Sequence, residues 1–177
     1  MSNNITTYSN ISFNPLNPDT DKILIDDISH ALSLMTRANG HFKEFYSVGQ
    51  HSIFCAKEAI QRGHSKKVAL ACLLHDASEA YIADIIRPVK KSLLQYLEIE
   101  ENLQEAIYSK FIKEELTDEE KNQINLIDNT MLYYEFIHYK NIELEVNHDR
   151  LYTNPEFKFV DFAEVKNEFV RLFDELN

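Results

Sequence analysis

Leu73-Leu74-His75-Asp76-Ala77-Ser78-Glu79-Ala80 sets an adjacent His and Asp inside an apolar run, with a second acid one helical turn further on. Read as a helix, residues three and four apart share a face, so Glu79 stands beside both Asp76 and His75. The same reading puts Val68, Ala71, Cys72, His75, Glu79 and Ile82 on one stripe, the side a helix buries. Ionisable groups turned toward a core are costly unless something compensates them. A metal ion is the most economical compensator. A His capped by a carbonyl, beside an ordinary Asp ion pair, is the plainer one, and the rest of the chain has to decide between them.

At 177 residues, with 44% hydrophobic residues, three Gly and four Pro, the chain reads as a single domain over 1–177, rich in helix and with its own core. A net charge of -11 argues against a nucleic-acid polymer or an anionic membrane as partner, since both require clustered Lys and Arg. A small anionic substrate stays compatible if a cation and a few basic residues gather locally. Cys55 and Cys72 fall on apolar stripes, where a cysteine reads as a small buried hydrophobe, and two such residues make no disulfide framework. Met1-Ser2-Asn3-Asn4 lacks the pattern of a secretion signal and no apolar run is long enough to span a bilayer, so the expected location is cytoplasmic.

Residues 1–22 read as an irregular arm, with a short hairpin formed by Ile5 to Tyr8 and Ile11 to Phe13 around Ser9-Asn10. A first helix follows from Asp26 to about Thr36 and breaks at Arg37-Ala38-Asn39-Gly40-His41. Ser47 with Gln50 forms a capping box, opening a helix to about Arg62 that stops at Gly63. Val48, His51, Phe54, Cys55 and Ala59 share its inner face, which turns His51 inward; alone, such a His is an ordinary core residue. Ser65 caps a helix over 66–84 that carries the opening stretch, and Arg87-Pro88 ends it. Residues 91–115 form a further helix, bent near 98–101, with Leu94, Leu97, Leu103, Ile107, Phe111 and Ile112 inward. Thr117-Asp118-Glu119-Glu120 starts another, placing Ile124, Ile127, Asp128, Met131, Leu132 and Glu135 on one side. A loop over 140–158 and a closing helix over 161–176 complete an all-α domain of about five or six helices. No internal repeat or Gly-rich phosphate loop occurs.

His51, the His75-Asp76 pair and Asp128 thus lie on three successive long helices. Two imidazoles and two carboxylates suit zinc, manganese, iron or cobalt, and helices packed side by side can bring them to one ion. This H...HD...D pattern resembles the HD-domain metal-dependent phosphohydrolases. Tyr46-Ser47-Val48-Gly49-Gln50-His51-Ser52 and His75-Asp76-Ala77-Ser78-Glu79, with Asp84 and Pro88-Val89-Lys90 downstream, resemble the branch of bacterial 5'-deoxynucleotidases and related small phage enzymes. Some of the latter are deoxynucleoside triphosphatases. The likeness covers about residues 26–135. It implies a compact helical HD bundle, a metal ligand set of His51, His75, Asp76 and Asp128, Glu79 as the residue activating water, and Asp84 assisting in the substrate pocket. It also implies Arg37 as a phosphate binder by spacing. The deoxynucleotidases follow that Arg with a Trp that helps exclude ribonucleotides; here Ala38 stands instead, so sugar selection has a different basis.

The chemistry agrees with these roles. A divalent ion (zinc, cobalt, manganese or magnesium) polarises a phosphoryl oxygen and acidifies bound water. Glu79 can take the proton. Arg37 and Lys90 offset phosphate charge, with His41, Lys43 and Lys91 as further basic candidates. The expectation is a nucleotide phosphohydrolase that releases a (deoxy)nucleoside from a 5'-mono- or triphosphate, acts on a small-molecule nucleotide and assembles as a homo-oligomer. Alarmone or cyclic-nucleotide hydrolysis and a non-catalytic metal- or nucleotide-binding protein are the alternatives.

Overall fold

The structure, a computed structural model, describes residues 3–177. The helix entered at Ser47 runs down the middle of the domain and explains most of its layout. Ser47 accepts from the Gln50 amide and Gln50 reaches back to the Ser47 amide, which fixes the start of α2 (Val48–Gln61). Gly63 ends it with a φ of 79°, a left-handed position that suits glycine. Gly49 has a different reason: a Cβ there would sit 3.2 Å from the backbone of Leu32 and 3.0 Å from a Val165 methyl. That glycine lets α2 lie close against α1 (Ile25–Leu34) and α8 (Phe162–Leu176).

Behind α2 packs α3 (Lys66–Leu74), capped by Ser65 and buried at every position from Val68 to Leu74. A helix buried all round belongs at the centre of a bundle, and α3 is covered by α2, α8, α7 (Asp118–Lys140) and α6 (Leu94–Phe111). Leu73, Leu74, Ile107, Ile127, Met131 and Phe169 meet in the resulting core. Thr117 and Glu120 form the capping box of α7, and Asn141, with a φ of 54°, closes it. The segment from 141 to 160 is irregular, as expected. It is tied down by Glu58, whose buried carboxylate accepts from the amides of Tyr152 and Thr153, the Thr153 hydroxyl and Arg62 Nε. At the N-terminal end β1 (Ile5–Thr6) and β2 (Ser12–Phe13) form the expected antiparallel hairpin, Ile5 opposite Phe13. Among the described residues no helix is long and apolar enough to cross a membrane.

Four expectations change. The helix read over 66–84 is two pieces: α3 stops at Leu74, and α4 (Glu79–Ile82) starts after a turn at His75 to Ser78. Gln104 of α6 is the wedge. Its Nε2 donates to the Leu74 carbonyl (2.8 Å) and its Oε1 accepts from the Ser78 amide (3.1 Å), so it takes both halves of the bond a continuous helix would make there. The backbone compensates with tighter i to i+3 bonds, Ala77 to Leu74 and Glu79 to Asp76. Further along, Pro88 does not end a helix but sits in the first turn of a short one, α5 (Arg87–Lys90). The helix expected from 91 instead spans Leu94–Phe111 as one element, and Leu94, expected inward, is 76% exposed.

Candidate metal centre

His51 projects from the second turn of α2, His75 and Asp76 follow the end of α3, and Asp128 comes from the middle of α7. Their ligand atoms converge. His51 Nε2 lies 3.2 Å from His75 Nε2, 3.1 Å from Asp128 Oδ1 and 3.8 Å from Asp76 Oδ2; His75 Nε2 lies 3.3 Å from Asp76 Oδ2 and 3.7 Å from Asp128 Oδ1. Donors bound at about 2.0–2.1 Å to one tetrahedral ion stand about 3.4 Å apart, the middle of this range.

The other ring nitrogens show what kind of ligand the cluster suits. His51 Nδ1 donates to Glu135 Oε1 at 2.6 Å, and His75 Nδ1 donates to the Cys72 carbonyl at 2.7 Å. With both Nδ1 atoms used as donors, the neutral rings turn two Nε2 lone pairs toward each other and toward two carboxylate oxygens. Four acceptors facing one point require a cation or protons. Burial works against the charged form of all four, yet the mutual attraction wins. His75 is raised well above the ordinary imidazole value, chiefly against burial and by Asp76, and Asp128 is held well below the carboxylate range by the hydrogen bonds from both His rings. A divalent ion would replace those protons. The residues fit one: His51, Cys55 and His75 form a group whose ligand atoms all lie within 4.8 Å of one another and that could hold a metal ion, and Asp76 and Asp128 adjoin it.

Around this cluster lie residues whose role the sequence left open. Glu135, fully buried two turns beyond Asp128 on α7, accepts from His51, from the Tyr46 hydroxyl at 2.9 Å and from Arg37 Nη2 at 3.4 Å. It fixes the His51 tautomer, a common service of a carboxylate behind a metal-binding histidine. The hint in the sequence was an acid on the inward stripe of α7. Arg87 clamps the other oxygen of Asp128 at 2.5 Å and Asn129 Oδ1 at 2.7 Å; its place before Pro88 had marked it only as a helix end.

The remaining expected site residues separate. Arg37 reaches the centre, with Nη1 3.4 Å from Asp76 Oδ2 and only 11% of its side chain exposed. It does so from a turn, Arg37–Gly40, in which Ala38, Asn39 and Gly40 all have positive φ. Glu79 is 3% exposed and its Oε2 has no hydrogen-bond partner. Burial, then Asp76 and Asp84, push its carboxyl well above the usual range; burial also raises Asp84, with Arg37 opposing and Asp76 adding. Lys90 is held by Glu100 at 2.5 Å, so its charge is already half spent. His41 is exposed, and its carbonyl accepts from Lys140 Nζ at 3.0 Å near the C-terminal end of α7. From His75, Asp76 and Asp128 a cavity of about 540 Å³ opens between α6 and α7, lined further on by Lys90, Tyr108 and Lys121.

No protein-family profile matches the chain. It is similar to the uncharacterized protein YfdR of Escherichia coli (strain K12), 37% identical over 107 residues, which is 60% of this chain and 57% of that protein. It is also similar to an uncharacterized protein of Rhodobacter capsulatus, 36% identical over 102 residues, 54% of this chain and 52% of the relative. The matched segment thus spans little more than half the length of either relative, and neither name carries a function.

Proposed function

We propose that this chain is a metal-dependent phosphohydrolase acting on a nucleotide and releasing a (deoxy)nucleoside from its 5'-phosphate. The observation that carries the reading is the convergence of His51 Nε2 and His75 Nε2 on each other and on Asp76 Oδ2 and Asp128 Oδ1 at 3.1 to 3.8 Å, with the buried, unpartnered Oε2 of Glu79 and a guanidinium alongside. A divalent ion held by those four residues supplies Lewis acidity and a more acidic water. The HD-domain resemblance of the sequence points the same way.

Each surrounding side chain then has work that its environment suits. Arg37, anchored by Asp76 and Glu135, offers its fork to phosphoryl oxygens. Glu79, buried beside Asp76 and Asp84, binds a proton more readily than a free carboxylate, and takes one from the attacking water as its oxygen bonds to phosphorus; the phosphorus–oxygen bond to the nucleoside breaks and the leaving 5'-oxygen takes up a proton from solvent. Asp84 assists in the pocket from its partly buried position. The cavity between α6 and α7 is large enough for a nucleoside and lies against three of the four ligands. Acidic groups outnumber the cations near the centre, and Lys90 is already paired with Glu100, so one phosphate is accommodated more easily than three.

The test is a panel of ribo- and deoxynucleoside mono-, di- and triphosphates, cyclic nucleotides and alarmones. The stripped protein is reloaded with zinc, cobalt, manganese or magnesium, and products are resolved by chromatography. Nucleoside plus inorganic phosphate from 5'-monophosphates is the expected outcome. Hydrolysis confined to diesters or alarmones would replace this substrate assignment, and no turnover with any nucleotide while metal binds would make the chain a binding protein.

A further inference from the structure

We propose that Cys55 is itself a ligand of the metal centre, taking a tetrahedral position beside His51 and His75 in place of one of the two carboxylates, so that the chain selects a thiophilic ion, zinc or cobalt(II), over magnesium and manganese. The proposal rests on the metal reading above and sharpens it. Cys55 lies one turn after His51 on α2, and residues four apart on a helix stack on one face. Its Sγ stands 3.5 Å from His51 Nε2 and belongs to the same group of ligand atoms as His75. For a tetrahedral ion with nitrogen at about 2.0–2.1 Å and sulfur at about 2.3 Å, two bound nitrogens are about 3.4 Å apart and a nitrogen and a sulfur about 3.6 Å. The structure has 3.2 Å and 3.5 Å.

Cys72 supplies an internal comparison. Both cysteines are free and 1% exposed. Cys72 also lies within one turn of a ligand, His75, yet its sulfur is outside the ligand group, and only its backbone carbonyl serves the centre. Burial therefore does not by itself bring a thiol to the metal position; the register of α2 does. Cys55 and His51 are buried away from the cavity, while His75, Asp76 and Asp128 border it. A donor set that includes buried sulfur and nitrogen beside carboxylates favours borderline ions over those that prefer oxygen and water. On binding, the S–H bond breaks, the proton leaves to water and the sulfur lone pair forms the bond to the ion; no oxidation state changes.

The experiment is cobalt(II) loading of the stripped full chain, read by absorption, with zinc affinity measured by chelator competition. Wild type and Cys72→Ser are expected to show a near-ultraviolet sulfur-to-cobalt charge-transfer band together with visible d–d bands. Cys55→Ala is expected to lose the former and to bind zinc at least about tenfold more weakly, with manganese affinity nearly unchanged. If Cys55→Ala does not fold, the wild-type spectrum decides. Wild-type d–d bands without the charge-transfer band, or a band and a zinc affinity that survive Cys55→Ala, would overturn sulfur ligation and leave the metal reading standing. A wild type that binds no cobalt or zinc overturns both.

Discussion

Replacing Glu135 with Gln alters three contacts at once without changing the size of the side chain. Its carboxylate accepts from His51 Nδ1, Tyr46 and Arg37 inside a fully buried site. The amide oxygen of Gln can keep one or both contacts of Oε1, but its NH2 then faces Arg37 Nη2, donor against donor. One charge-assisted contact is lost, worth about 1.5–3 kcal/mol, which for a chain of this size lowers Tm by about 3–12 °C. The fixed His51 tautomer weakens with it, so zinc affinity is expected to fall about 10–100-fold, as for other carboxylates behind metal-bound histidines. Glu135→Ala leaves Arg37 short of a buried partner and costs about 3–5 kcal/mol. Calorimetry of the metal-free proteins gives the first number and chelator competition the second. A Gln variant that melts and binds zinc like wild type would refute the role assigned to Glu135.

Glu79→Gln is expected to keep metal and lose about 10²–10⁴ in kcat, measured as phosphate release beside elemental analysis; loss of metal to the extent seen in Asp76→Ala would make Glu79 a ligand instead. Gln104→Leu strands the Leu74 carbonyl and the Ser78 amide, so thermal unfolding should drop by at least about 2 kcal/mol, and metal affinity should fall with it because His75 and Asp76 lie inside that turn. Glu58 sets a pH dependence. Burial raises its carboxyl, but Thr153, Tyr152 and Arg62 outweigh this and hold it below its ordinary value. Its contribution is therefore fully present above the unfolded carboxylate value of about 4.3–4.5 and is lost as pH falls through the lower folded value. Denaturant unfolding of the metal-free protein from about pH 5 to 3 should show a smaller loss for Glu58→Gln than for wild type; equal losses would contradict this.

Local signals in the chain hold where local chemistry decides. The Ser47–Gln50 and Thr117–Glu120 boxes open α2 and α7 as their sequences require, and the inward stripes carry His51 and Asp128 to one point. What the sequence hid is made by distant partners. The break after Leu74 comes from an amide thirty residues later, on another helix. Reading that stretch as unbroken helix paired Glu79 with His75 and Asp76 by helical spacing, whereas a tight turn holds them. Glu135 was visible as an inward acid, but its partners lie 84 to 98 residues earlier. The path of Arg37 depends on positive φ at Ala38 and Asn39, which propensity disfavours. Leu94 failed for the opposite reason: it was placed by spacing alone, and the fold leaves it exposed.

The most direct test of the central claim is a titration of metal-stripped protein with a single divalent ion while phosphate release from a deoxynucleoside 5'-monophosphate is followed. Activity should be absent at the start, rise to a plateau at about one ion per chain and fail to rise in Asp76→Ala. Undiminished hydrolysis by thoroughly stripped protein would contradict the account.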